Sequence, residues 1–220
     1  MRPLLIALCL VLWLPARASA SPSQIDLIYS ESTDAQCAEQ HNYQIRAEWA
    51  AELHARLPEF VSLWNSVAPP MLDAVTALTG KTVETPRAVR LTLCDTPSQS
   101  MVEPSVNMRF ALRSFTPQAV PLRYKADTAF HEILHGFVHR HTPAGSALLR
   151  ERKGESRCVR NHLHLLALQK AVLLSLGATQ ELAQVIAIDS QLPSACYKRA
   201  WELVNETEGT YKQYVSELAR

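Results

Sequence analysis

Past its first twenty residues the chain has no apolar run long enough to cross a bilayer, so no membrane span is expected there. It also lacks a surplus of charge: Lys and Arg number 22, Asp and Glu 21. A nucleic-acid or anionic-membrane partner would call for a basic excess, so neither is expected. No Cys-x-x-Cys pair occurs, which removes the usual spacing of a cysteine zinc site. Internal repeats, low-complexity tracts and Gly/Ser linkers are absent too. One domain with a real core suits this length.

Residues 1–20 read differently from the rest. Arg2 gives a positive start, Leu4 to Leu14 form a short apolar stretch, and Ala18-Ser19-Ala20 has the small-residue pattern of a cleavage site. That is the pattern of a secretory signal peptide, leaving residues 21–220 as a single domain in a secreted or periplasmic protein. Arg2 and Arg17 leave with the leader, and the remainder carries one net negative charge. Removing Cys9 leaves Cys37, Cys94, Cys158 and Cys196. An even count in an exported chain predicts two disulfides, and the pairing preferred is Cys37–Cys94 with Cys158–Cys196.

The predicted class is α+β, helix-rich, with a small sheet preceding the helix that bears the central motif. Ile25–Ser30 reads as a short strand. Ala35 to about Leu57 reads as helix, and Pro58 and Pro69-Pro70 are expected to interrupt the helical pattern between there and Gly80. Ala88–Cys94 and Asn107–Phe115 alternate in polarity like half-buried strands. Helix is expected again from Pro121 to about His141, over Ser146–Lys153, and from Glu155 to Leu176, where Gly177 stops it. Two or three further helices complete the chain.

The chemistry lies in His131-Glu132-Ile133-Leu134-His135. On a helix the two histidines sit about 40° apart and one turn apart, on one face. Two imidazoles so placed can ligate one metal ion. Glu132 points partly aside, where it can take a proton from a water that the metal acidifies toward a pKa of about 7. Ile133, Leu134 and Phe137 are apolar and Thr128 to Phe130 carry no charge, unlike a solvated helix face. These residues resemble the zincin metallopeptidases, specifically over Thr128–Phe137. The resemblance implies a Zn2+ cofactor, a peptide or protein substrate, and a sheet edge that binds extended substrate, for which Asn107–Phe115 is the candidate. A zinc protein without peptidase activity, or a zinc hydrolase of a non-peptide bond, are the alternatives.

A catalytic zinc usually has three protein ligands. His141 has the metzincin spacing, but Val138 stands where that pattern needs glycine and no methionine follows Met108. Glu151 lies in a charge run. Glu155, about twenty residues after His135, fits the gluzincin pattern and completes the expected metal set of His131, His135 and Glu155. His162, two turns on from Glu155, is expected near the zinc as an aid to the oxyanion or a supporting contact. Asp127 and Asn161 are candidates to orient a zinc histidine, and Tyr124, Tyr197, Tyr211 and Tyr214 are available to assist an oxyanion. Oligomeric state is left open.

Overall fold

A computed structural model describes residues 25–100 and 103–220. The leader expected over residues 1–20 therefore lies outside the described residues. The chain opens with strand β1 (Asp26–Tyr29) and two helices, α1 (Glu31–Gln40) and α2 (Ala47–Thr79). Strands β2 (Ala88–Thr92), β3 (Gln99–Ser100) and β4 (Pro104–Asn107) come next. Helix α3 (Leu122–His141) carries the His-Glu motif. The rest is helical: α4 (Ala147–Glu151), α5 (Arg157–Ser175), α6 (Thr179–Asp189), α7 (Ala195–Val204) and α8 (Thr210–Leu218). This is a helix-rich α+β fold.

The sheet has the order β1-β2-β4-β3. β1, β2 and β4 are parallel, and β3 runs antiparallel on the edge beside β4. Leu91 pairs with Val106 in the middle of the sheet, both buried. Helix α3 packs between this sheet and α5, and α5 packs in turn on α2, α7 and α8. From His162 to Gln169 every residue of α5 is buried. A helix apolar nearly all round belongs inside a domain, and α5 is the centre of this one.

Both disulfides form with the expected pairing, Cys37–Cys94 and Cys158–Cys196. The first ties α1 to Cys94, two residues past the end of β2. Beside it the buried Asp34 carboxylate accepts from the Leu93 N–H at 2.7 Å and from the Thr92 hydroxyl. No described helix is long and apolar enough to cross a membrane.

Three expectations need correction. The first helical segment is two helices, because the chain turns at residues 41–46, where Asn42 adopts φ 50°. Asparagine tolerates that left-handed region better than most residues. Second, α2 runs unbroken for 33 residues through Pro58, Pro69 and Pro70. An interior proline costs about 3 kcal/mol. Here Trp49, Leu53, Phe60, Trp64, Ala68, Met71 and Val75 form one buried stripe along the whole length. At about 1.5–3 kcal/mol for each large side chain, that burial outweighs the lost hydrogen bonds.

Third, Asn107–Phe115 is not a strand, and it is not the sheet edge. β4 ends at Asn107, whose side-chain amide donates to the carbonyls of Cys94 at 2.9 Å and Thr96 at 2.6 Å. Its Oδ1 accepts from the Arg109 N–H at 3.0 Å. Such local side-chain bonds compete with a ladder. The chain turns through a short 3-10 segment, Arg109–Ala111, with Arg109 buried against Tyr43 and Phe110 half exposed. The described edge beside β4 is β3.

Candidate metal centre

Helix α3 begins after Pro121, whose fixed φ suits a helix entrance, and stays helical through His141. His131 and His135 therefore project from one face, with ring centroids 4.9 Å apart. The His162 ring of α5 stands 5.5 Å from His131 and 5.1 Å from His135. One nitrogen from each of the three rings can be chosen so that all lie within 4.8 Å of one another.

The outward nitrogens of two rings are already engaged. His131 Nδ1 meets Gln169 Oε1 at 3.1 Å, and His162 Nδ1 meets the Cys158 carbonyl at 2.8 Å. Both partners are acceptors, so each Nδ1 carries the proton and each Nε2 keeps its lone pair. Those two Nε2 atoms are buried without a hydrogen-bond partner. An orphaned buried polar atom costs about 1–3 kcal/mol, so such pairs mark a place built for a ligand.

Burial is the main cause that lowers the pKa of all three rings. His131 falls well below the usual histidine range, with the charges of His135 and His162 adding to the effect. His135 is pushed down to about 4, and His162 is lowered as well. Neutral imidazole is the form that binds metal, so the protein holds the rings ready at neutral pH. Three neutral imidazoles are a donor set that zinc accepts in catalytic sites.

Glu132 occupies the adjoining position. Its Oε2 is 3.9 Å from His135 Nε2, buried, and without a hydrogen-bond partner. Burial pushes its carboxyl up to about 8. A nearby cation would lower it again. Tyr197 of α7 closes another side, its ring 4.6 Å from His162 and 5.7 Å from His131. Burial raises its phenol first, and the charges of Glu132 and Asp189 add to the rise. The other tyrosines are committed elsewhere. Tyr124 donates to Asp189 at 2.8 Å, Tyr214 packs on His164, and Tyr211 lies beneath Lys170.

The structure does not bring Glu155 to the histidines. Ser156 caps α5, its Oγ accepting from the Val159 N–H at 3.2 Å, so the helix starts at Arg157 and Glu155 lies outside it. The carboxylate accepts from Arg199 Nη2 at 2.6 Å and Nε at 3.1 Å. This pairing holds it below the ordinary carboxylate range. His162 takes the place expected of Glu155, within the ring cluster itself. His141 packs on Phe137 and Glu151 is exposed, so neither joins the cluster. Asp127 pairs with Arg123 at 3.0 Å and Asn161 is exposed. The supporting contact that sequence reasoning missed is Gln169. One signal pointed to it: seven residues after His162, it shares that helix face at the end of the apolar run Leu165–Leu168.

No family model matches the chain, and no significant match was found among curated proteins or solved structures.

Proposed function

We propose that this chain is a zinc-dependent hydrolase, acting on peptide bonds outside the cytoplasm. The observation that carries the reading is the pair of orphaned Nε2 atoms, His131 and His162, converging with His135 beside a buried carboxylate. His131, His135 and His162 would hold the ion, a ligand set of HExxH plus a histidine in place of the gluzincin glutamate. Bound there, zinc would supply Lewis-acid polarisation and a more acidic water. Glu132 would take and return the proton, and the Tyr197 phenol would donate to the oxygen on which negative charge develops. Gln169 and the Cys158 carbonyl would hold two rings in the correct tautomer. The unpartnered Glu132 Oε2 favours an enzyme over a structural site, since a structural ion needs no base. Two disulfides and the signal-like leader support export.

The test combines metal analysis of the purified mature protein with hydrolysis of a mixed peptide library. About one zinc per chain is expected. Glu132→Gln should retain the metal and lose turnover by about 10²–10⁴-fold, the usual size of general-base help. A metal-bearing protein that cleaves no peptide would leave only the zinc part standing. Peptide cleavage undiminished in Glu132→Gln would remove the mechanism.

A further inference from the structure

The Cys158–Cys196 disulfide lies against the third ligand. Cys158 Sγ is 3.9 Å and Cys196 Sγ 3.8 Å from His162 Nδ1. Cys158 precedes His162 by one helical turn, and its carbonyl is the group that His162 Nδ1 donates to. On the other side, Cys196 is the residue before Tyr197, whose ring lies 4.6 Å from that of His162 and tilted to it by 55°. One covalent link thus joins the turn of α5 that bears a metal ligand to the turn of α7 that bears the phenol. Cys37–Cys94 makes no contact with these groups and joins α1 to the segment after the C-terminal end of β2. We propose that the Cys158–Cys196 disulfide is a positioning element of the metal centre, holding His162 and Tyr197 in register, so that its reduction weakens zinc binding.

This inference rests on the zinc reading above. Cys158 is exposed whereas Cys196 is buried, so an incoming thiolate reaches the bond through Cys158 Sγ. That sulfur forms the mixed disulfide and Cys196 leaves as thiolate. A second thiol of a dithiol then displaces Cys158, leaving two protein thiols and one oxidised dithiol. The first turn of α5 is then held to its surroundings by the Ser156 cap, by Arg160 donating to the Lys153 and Glu155 carbonyls, and by packing, with no covalent tie to α7. Loss of a contact that orients a metal-binding histidine typically weakens metal affinity by about 10–100-fold.

The two disulfides make an internal control. They close segments of 57 and 38 residues, so removing either should loosen the unfolded chain to a similar degree. Zinc affinity would be measured by competition with a chromophoric chelator. Wild type would be compared with the Cys158→Ala/Cys196→Ala and Cys37→Ala/Cys94→Ala pairs, each verified folded by circular dichroism at the assay temperature. The first pair should bind zinc about 10–100-fold more weakly, and the second should stay within about twofold of wild type. The Cys37→Ala/Cys94→Ala protein, which keeps only the Cys158–Cys196 bond, would also be treated with a water-soluble phosphine, which consumes one water and becomes its oxide as the disulfide becomes two thiols. Both thiols would then be methylated by an alkyl sulfonate, which leaves as the sulfonate, because free thiolates beside His162 would bind zinc themselves. Zinc affinity should fall by the same factor relative to the oxidised form, which keeps the test decisive should the Cys158→Ala/Cys196→Ala pair not fold. Equal affinity in the oxidised protein and the reduced, methylated protein, or equal weakening by both alanine pairs, overturns the positioning role. Failure of the oxidised wild type to bind zinc would overturn instead the metal reading beneath it.

Discussion

Zinc should stabilise the folded chain by an amount that the three-histidine geometry sets, and only some variants should keep that response. A ligand that binds the folded state alone contributes about 2.7 kcal/mol at one hundred times its Kd. In a domain of this size each kcal/mol moves Tm by about 2–4 °C. Metal-stripped protein should therefore gain about 5–11 °C when zinc is added at one hundred times the Kd measured by chelator competition. His162→Ala removes one of the converging nitrogens and should lose most of that gain at the same zinc concentration. Glu155→Gln breaks the surface pair with Arg199 and touches no ring, so it should keep the full shift. Glu132→Gln should keep it too, because the carboxylate stands beside the rings and not among the donors. Calorimetry of the four proteins with and without zinc makes the comparison. A shift that survives His162→Ala and vanishes in Glu155→Gln would refute the ligand assignment drawn from the structure.

Gln169→Ala should weaken zinc binding by about 10–100-fold through loss of its bond to His131 Nδ1, as read by the same chelator competition. Tyr197→Phe should lower kcat by about 10²–10³-fold while zinc content stays unchanged, if its hydroxyl meets the developing oxyanion. A rise in KM with kcat unchanged would speak against that role. Lys125 gives a pH prediction independent of the metal. It is buried, and burial first, then the Arg109 charge, push its ammonium down to about 8 from 10.5. A base lowered in the folded state costs stability wherever the unfolded chain holds its proton, fully below about pH 8, and the cost fades as pH rises toward 10.5. At about 1.4 kcal/mol per pH unit the penalty is on the order of 3 kcal/mol. Lys125→Met should raise the urea midpoint at pH 7, and its advantage over wild type should shrink between pH 8 and 10.5. An advantage independent of pH would show that packing, not charge, was responsible.

The parts of this fold that could be read from the sequence are those where local rules act alone. Pro121 and Pro143 bracket α3, and helical geometry places His131 and His135 together wherever that helix lies. The third member of the histidine cluster was harder, because it depends on which residue of α5 a packed neighbour sees. Moving the start of α5 by two residues, from Glu155 to Arg157, put the glutamate outside the helix and within reach of Arg199. His162 was legible as a residue near the motif histidines, but its position in the ring cluster comes from the crossing of α3 and α5. The prolines of α2 and the alternation at 107–115 misled for one shared reason. Local propensity was overruled, in α2 by a buried stripe from Trp49 to Val75 and at β4 by the side-chain bonds of Asn107.

Helix α5 has almost no free face, and it also carries His162 and the Gln169 that orients His131. Its mutational tolerance should therefore differ from that of α3 at the C-terminal end. Along α3, saturation mutagenesis should give a graded record, strict through the buried residues from Ala129 to Leu134 and permissive at His139 and Arg140, which face solvent. Along His162–Gln169 the record should be an unbroken block, because a change that loosens the centre of the domain also displaces a ring of the histidine cluster. Variants with altered substrate range should then arise in the segments around the site, and seldom in the helix that holds it.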